Sequence, residues 1–240
     1  MKTLTKAAFA TLLGTVLALA EPARPPIPEE EMVSRYVTAS QTQQDALRGG
    51  TVEENIDADV PQLKKHGTLH ALKSITKLGK ITFRVLGFNG DNTVKTEVIA
   101  RYMKAEVDAA DSGGDLAVTP AHYKFKYKGT EQRNGRAIYI LHVNPRQKRV
   151  GLFKGELWLD AETCMPVRES GYFVKSPSIF LKKMQFVREY GMQNGVAIPQ
   201  RLESKADVRF IGPVELNIDY ASFSKDDGTD TVAASAADQQ

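Results

Sequence analysis

The chain has 240 residues, enough for one large domain, and its 32 Lys and Arg nearly balance its 29 Asp and Glu, for a formal net charge of +3. This balance gives no reason to expect a polyanionic partner, although local basic faces can still touch phospholipid head groups. The single cysteine, Cys164, excludes an intramolecular disulfide.

Residues 1–20 predict a cleaved secretory signal peptide. Lys2 and Lys6 precede an apolar run that ends in small residues, and this run is too short to span a bilayer comfortably. Cleavage would remove these two lysines and lower the net charge from +3 to +1. A proline-rich lead-in, residues 21–28, follows in the sequence. We therefore expect an exported protein, located in the periplasm.

The predicted domain covers residues 29–224 and begins with an amphipathic helix over Glu29 to Leu47. Apolar residues recur in this stretch at helical spacing, and the acidic residues of its first turn favour a helix N-terminus. Gly49 and Gly50 end it. Three alternating segments then predict a meander of strands, at residues 51–60, 67–76 and 80–88.

A second amphipathic helix is predicted over residues 91–110. Its apolar residues form one stripe: Val94, Val98, Ile99, Tyr102 and Met103. Asp91, Asn92 or Thr93 can cap its start, and Glu97 and Arg101 are spaced to form an i,i+4 ion pair. The stripe needs a sheet on which to pack.

From residue 116 to residue 223 the sequence predicts seven strands separated by turn residues. Alternation is sharpest in "RLESKADVRF", where one face is dry and collects Leu202, Ser204, Ala206, Val208 and Phe210. About ten strands with two helices predict a mainly β (α+β) fold, a single strongly curved antiparallel sheet that forms a half-open barrel. Two or more helices would cover its concave face. The tail, residues 225–240, is predicted to be disordered.

The stretch "AHYKFKYKG" raises the question of nucleic-acid binding. Tyr123, Phe125 and Tyr127 are two residues apart, and lysines occupy the positions between them, so a strand places the rings and the charges on opposite faces. A nucleic-acid-binding sheet needs exposed rings on the same face as its cations. We therefore predict a half-buried strand with a wet lysine face, and no nucleic-acid partner.

The sequence offers no chemistry for catalysis. The histidines lie in separate segments, without the spacing of a zinc site, and we find neither a nucleophile elbow nor a phosphate-binding loop. Asp57 and Asp59 fit a solvated strand face, and Cys164 is interpreted as a small half-buried residue. Trp158 lies on the strand face opposite Leu157 and Leu159, where it is either an exposed contact or packed against a neighbouring element. We predict a protein that is not an enzyme, with no catalytic residue, metal or cofactor.

Two strand–turn–strand patterns, in "GELWLDAETCMPVRESGYF" and "MQFVREYGMQNGVAIPQRLE", carry a family resemblance. The residues that define them are Asp160, Glu162, Thr163, Pro166, Arg168, Gly195 and Pro199. With the signal peptide, the N-terminal helix and the early meander, they resemble the outer-membrane lipoprotein-sorting family, which has the LolA/LolB-like fold. In that family, acyl chains of a lipid or lipoprotein lie between the concave sheet and a helical lid.

The resemblance implies a periplasmic carrier or binding protein for lipid or acylated lipoprotein. It also implies an arginine contact that fastens the lid, for which Arg35, Arg84 and Arg101 are the candidates. An envelope-stress sensor or protein-interaction module on the same fold is the alternative, with an envelope protein as partner, and we expect a monomer. The residues that can line the cavity, or else fill an ordinary core, are Tyr123, Phe125, Tyr127, Tyr139, Leu141, Phe153, Leu157, Leu159, Val98 and Tyr102.

Overall fold

The computed structural model describes residues 26–113, 116–193 and 195–225. The predicted signal peptide, most of the proline-rich lead-in and all but the first residue of the predicted tail lie outside the described residues. Within the described part, no helix is both long and apolar enough to cross a bilayer.

Ten strands form one antiparallel sheet. Their bounds are β1 Gly50–Val60, β2 Lys65–Ile75, β3 Ile81–Gly90, β4 Tyr123–Arg133, β5 Arg136–Pro145, β6 Phe153–Asp160, β7 Pro166–Phe173, β8 Leu181–Gln193, β9 Val196–Val208 and β10 Gly212–Lys225. The spatial order is β3-β2-β1-β10-β9-β8-β7-β6-β5-β4. The two outermost strands, β3 and β4, do not pair with each other, so the sheet is open. The predicted meander and the seven later strands are all confirmed.

Turn chemistry fixes the hairpins in the places that the sequence predicted. Between β4 and β5, Asn134 and Gly135 both take positive φ angles, 52° and 77°, which suits the tight turns whose twist matches that of the strands. Between β6 and β7, the Asp160 carboxylate accepts hydrogen bonds from the backbone N–H groups of Glu162 and Thr163, at 3.1 and 2.9 Å. Cys164 closes this turn at φ 55° and is buried.

The first helix spans Glu29–Leu47, as predicted, and three acidic residues occupy its first turn. Its buried face consists of Met32, Val33, Tyr36, Ala39 and Gln43.

The second helix is formed by three contiguous segments: Asn92–Val94, the π-helical Lys95–Ile99, and Ala100–Asp111. Asp91 caps it by accepting from the N–H of Thr93 at 2.7 Å, and the predicted Glu97–Arg101 ion pair forms. The sequence did not predict the π turn. Because π turns close on i→i+5 hydrogen bonds, residues five apart share a face, and Val94 and Ile99 are both fully buried.

One hydrophobic core joins both helices to the sheet. It includes residues from strand β2 near one edge and from β4 at the other, together with Met32 and Tyr36 of the first helix and Ile99 of the second. Neighbouring strands of a sheet lie about 4.8 Å apart. In a flat sheet, β2 and β4 would therefore be too far from each other to share one compact core. The sheet therefore curves around the helices, which confirms the predicted mainly β fold.

One side chain on the predicted dry face of β9 lies elsewhere. Strand β9 ends at Val208, and Phe210 falls in the turn that follows, with φ 67° and 94% of its surface exposed. The prediction that Phe210 faces the core was wrong, because the alternation in the sequence continues past the residue at which the backbone leaves the sheet.

Candidate functional site

Strand β4 places its three rings on the concave face. Tyr123 is fully buried, Phe125 and Tyr127 are half-buried, and the intervening lysines are exposed, so the predicted separation of rings and charges is confirmed. The Tyr123 hydroxyl accepts a hydrogen bond from the N–H of Phe153 at 3.2 Å. Burial raises the pKa of Tyr123 to about 12, so this ring stays neutral.

A groove of about 710 Å³ runs between the first helix and β4. Its apolar walls are Val33 and Val37 from the helix, and Tyr123 and Phe125 from the strand. The charged residues around it are Glu29, Glu30, Lys124 and Arg146. We call this the helix–edge groove. Its volume falls within the range of small-molecule sites, about 300–1,000 Å³.

Three long-range contacts fasten the first helix over the sheet. The Glu29 carboxylate accepts from the N–H of Tyr127 at 2.7 Å, and the Gln43 amide donates to the buried carbonyl of Ala197 at 2.6 Å. Between them, the Arg35 guanidinium donates to the carbonyl of Glu162 at 2.5 Å. These contacts hold the helix against the sheet, where it forms one wall of the groove.

Of the three arginines considered for a lid contact, Arg35 is the one that links a helix to the sheet. Arg101 pairs with Glu97 within its own helix, and Arg84 is exposed on the edge strand β3. No sequence signal distinguished Arg35, because the contact joins residues 127 positions apart.

Charged side chains meet under the second helix, on the concave face. Lys73 of β2 lies 3.3 Å from Glu54 of β1 and 2.7 Å from Glu106 of the second helix. Arg188 of β8 lies 3.9 Å from Glu106 and 3.6 Å from Glu169 of β7. We call these five residues the buried charge cluster. It contains three carboxyl groups and two cations.

The pKa values of the cluster follow from this imbalance. Burial raises the pKa of Glu54 despite the nearby Lys73, and its Oε1 makes no hydrogen bond within the described part of the chain. Burial also tends to raise the pKa of Glu106, but the positive charges of Lys73 and Arg188 outweigh this effect, so the pKa of Glu106 is lowered. Burial acts against the charge of Lys73, yet Glu106 and Glu54 raise its pKa. Between Glu54 and Glu106, Glu54 is thus the carboxyl group that more readily keeps its proton.

Two tyrosines extend the cluster. Tyr190 donates its hydroxyl hydrogen to Glu169 at 3.0 Å, and the Tyr102 hydroxyl lies 3.5 Å from Glu54. Burial raises the pKa of both phenols, so they remain neutral donors.

A pH-dependent stability is expected from Glu54. Because the folded state raises its pKa, the protonated group stabilises folding below its ordinary pKa, and this contribution is lost as pH rises through the raised folded value. Glu54→Gln keeps the side chain neutral at every pH. We therefore expect the variant to gain stability relative to the parent between about pH 5 and pH 8, where Glu106 is ionised in both states.

The measurement is urea unfolding of both proteins across that range. Equal pH slopes for parent and variant would show that the carboxyl group is ionised in the fold. Glu203→Gln, at an exposed position on β9, is the control and should leave the slope unchanged.

All ten residues predicted to line a cavity belong to the main hydrophobic core or pack against it. Six are buried: Tyr123, Tyr139, Leu141, Phe153, Leu157 and Leu159. Four are partly buried at its margin: Phe125, Tyr127, Val98 and Tyr102. The helix–edge groove brings only Tyr123 and Phe125 of this set together. Ligand contact by any of the ten stays a prediction.

Sequence reasoning missed the buried charge cluster, although the alternation contained a signal for it. Glu54 falls between Val52 and Ile56 on the apolar face of β1, and Lys73 follows Ala71 on the apolar face of β2. A charged residue in a core position of a strand is expensive unless it is paired, so two of them in neighbouring strands indicate a partnership.

The other polar candidates have structural roles. His66 pairs with Asp57 at 2.8 Å and His70 with Glu53 at 2.6 Å, all on partly exposed positions. Within the described ranges, no group of His, Cys, Asp and Glu is arranged to hold a metal ion. Burial raises the pKa of the Cys164 thiol, which opposes a nucleophilic role.

Trp158 packs on the convex face. The guanidinium groups of Arg133 and Arg168 lie 5.8 and 5.1 Å from its ring, and its indole N–H donates to Glu156 at 3.0 Å. Of the two readings left open by the sequence, packing against neighbouring residues is the one that the structure shows.

No protein-family model matches the sequence, and no curated protein has a significant match to it. Several solved structures align with most of the chain. A DUF1329 family protein from Desulfovibrio piger is 14% identical, with 85% of this chain and 95% of that chain covered and a TM-score of 0.48.

Two others are a LolA superfamily protein from Nitrosomonas europaea and an outer membrane lipoprotein-sorting protein domain from Vibrio parahaemolyticus. They are 11% and 12% identical, with TM-scores of 0.41 and 0.43, and each alignment covers 83% of this chain and 94% of the other. Both bear the family name that the sequence resemblance suggested.

Proposed function

We propose that the chain is an exported, non-enzymatic carrier that holds an acyl chain of a lipid or lipoprotein in the helix–edge groove. The observation that carries this proposal is the groove itself, an open cleft between the half-buried Val37 of the first helix and Phe125 of β4, with the buried Val33 and Tyr123 beside them. Residues 29–224 would form the carrier domain, and export rests on the predicted signal peptide.

Hydrophobic shielding would supply the binding free energy. Each methylene group removed from water contributes about 0.8 kcal/mol, so a partly buried chain already binds usefully. Lys124 and Arg146, at the rim, would place positive charge beside an anionic head group. Release would follow either movement of the first helix or competition by a receiving partner.

Blocking the groove tests the proposal without removing any core residue. Ser34 is exposed and lines the groove from the first helix, so Ser34→Trp should fill it and weaken binding of a fluorescent fatty acid at least about tenfold. Gln41→Trp places the same ring on an exposed position of the same helix outside the groove, and should bind as the parent does. Equal affinity of the two variants would argue against the groove as the site.

A protein-interaction module is the second candidate. It is favoured by edge strand β3, on which Val85 and Leu86 are 47% and 45% exposed beside backbone groups that no neighbouring strand covers. Such an edge can accept a strand from a partner. Recovery of one stoichiometric protein with no bound lipid, lost in a Val85→Lys variant, would favour this candidate over the carrier.

A further inference from the structure

Four turns between strands lie at the same end of the sheet. They connect β1 to β2, β5 to β6, β7 to β8 and β9 to β10, and they comprise residues 61–64, 146–152, 174–180 and 209–211. Contacts join them into one surface: the N–H of Arg209 donates to Phe180 at 2.7 Å, and the N–H of Val174 donates to Leu152 at 2.9 Å. The side chain of Gln62 lies against Gly212, at the start of β10. We call this surface the basic end.

Exposed apolar side chains are concentrated there. Of the eleven large hydrophobic residues that are exposed in the described part of the chain, six belong to these four turns: Leu63, Val150, Ile179, Phe180, Phe210 and Ile211. Ile179 is 79% exposed and Phe210 is 94% exposed. Scattered exposed apolar residues are normal on a protein surface, but a group at one end indicates an interaction site.

Besides being exposed, Phe210 has an unfavourable backbone conformation. Its φ of 67° lies in the left-handed region, where a bulky side chain is a genuine outlier. Neither the strain nor the exposure of this ring helps the fold, and conformational strain of this kind collects at functional sites.

The charge of the basic end has one sign. The four turns contain six cationic residues, Lys64, Arg146, Lys148, Arg149, Lys175 and Arg209, and no Asp or Glu. Of the acidic residues nearest in sequence to these turns, Asp207 is already paired, since it lies 3.7 Å from Lys182, and Asp59 lies two residues before the first turn. The chain as a whole is close to neutral, so this end concentrates its positive charge.

We propose that the basic end docks on the surface of a bilayer that contains anionic phospholipid. Ile179, Phe180 and Phe210 enter the headgroup region, while the surrounding lysines and arginines attract the lipid phosphates. The exposed apolar side chains suit the apolar part of the bilayer surface, and the surrounding cations suit its anionic head groups. Neither the apolar side chains nor the cations alone would bind the bilayer stably. The proposal does not depend on what the helix–edge groove holds. Arg146 belongs to both, so docking also brings the rim of the groove to the bilayer.

Vesicle co-sedimentation of the chain from residue 21 onward tests the proposal. The vesicles are pure phosphatidylcholine, or phosphatidylcholine with roughly a third phosphatidylglycerol. We expect binding to the anionic vesicles only, and its loss in about 1 M salt, where the Debye length falls to about 3 Å. The double variant Lys148→Glu with Lys175→Glu should weaken binding at least about 25-fold, because each cation near an anionic surface raises the affinity roughly fivefold.

Phe180→Ser with Phe210→Ser should weaken binding at least about tenfold, because both rings leave the headgroup region. Leu78→Ser and Lys77→Glu are the matched controls, since they lie in the β2–β3 turn at the opposite end and Leu78 is 85% exposed. They should bind within about twofold of the parent. Absence of binding to anionic vesicles, equal binding to neutral vesicles, or an equal loss in the controls would overturn the proposal.

Discussion

Replacing Lys73 by methionine is expected to destabilise the fold by about 3–5 kcal/mol. The side chain is 11% exposed, and its ammonium group is the closest cation to both Glu54 and Glu106. Without this ammonium group, the carboxyl groups of Glu54 and Glu106 would share a buried site with no lysine between them. Burial already disfavours the charged form of Glu54, and Glu106 is ionised. Breaking a buried ion pair from one side is costly because the remaining charge has no partner.

Urea unfolding measures this loss, and two further variants make it specific. Lys205→Met removes an exposed pair, since Lys205 lies 2.5 Å from Glu215 and is 58% exposed, and it should cost no more than about 1 kcal/mol. Adding Glu54→Gln to Lys73→Met should recover part of the stability, because it removes one of the two carboxyl groups that have lost the lysine as a partner. A loss at Lys73 no larger than at Lys205 would mean that water reaches the cluster.

Leu157→Ala is expected to cost about 2–5 kcal/mol. Leu157 is fully buried on β6, directly across from Leu141 on β5 and Glu169 on β7, so truncation leaves a cavity that the curved sheet cannot easily close. If this position lined an open ligand cavity instead, the empty protein would lose far less.

Truncation of the groove residue Phe125 is expected to have the opposite pattern of effects from truncation of Leu157. Because it is half-buried, Phe125→Ala should cost about 1–2 kcal/mol and should also weaken fatty-acid binding. Leu157→Ala should leave the affinity of the remaining folded protein near that of the parent. Chemical unfolding and probe titration of the two variants separate core filling from ligand contact, and a larger loss of affinity at Leu157 would reverse the assignment.

Much of the fold was readable from the sequence because its signals are local. Alternation along β4 separates Tyr123 from Lys124, and turn residues such as Asn134 and Gly135 mark hairpins in the places where the chain reverses. Phe210 shows the limit of this reasoning. Periodicity indicates which face a residue would take in a strand, but it does not show that the strand ends at Val208.

The candidate site was less accessible, because it depends on packing between distant segments. The helix–edge groove exists because the first helix is held over the sheet by contacts such as Arg35 with Glu162 and Gln43 with Ala197. No local pattern in the sequence encodes these long-range contacts. The partners Glu54 and Lys73 could have been found, since each occupies a core position in an otherwise apolar alternation.

The central claim is that the groove carries an acyl chain, and native mass spectrometry tests it most directly. The protein would be purified without detergent from the compartment to which it is exported, and any bound mass would be extracted into organic solvent and identified. The account predicts a discrete bound lipid or acylated peptide that is absent from Ser34→Trp. A clean unbound mass, with no uptake of fluorescent fatty acid on refeeding, would contradict it.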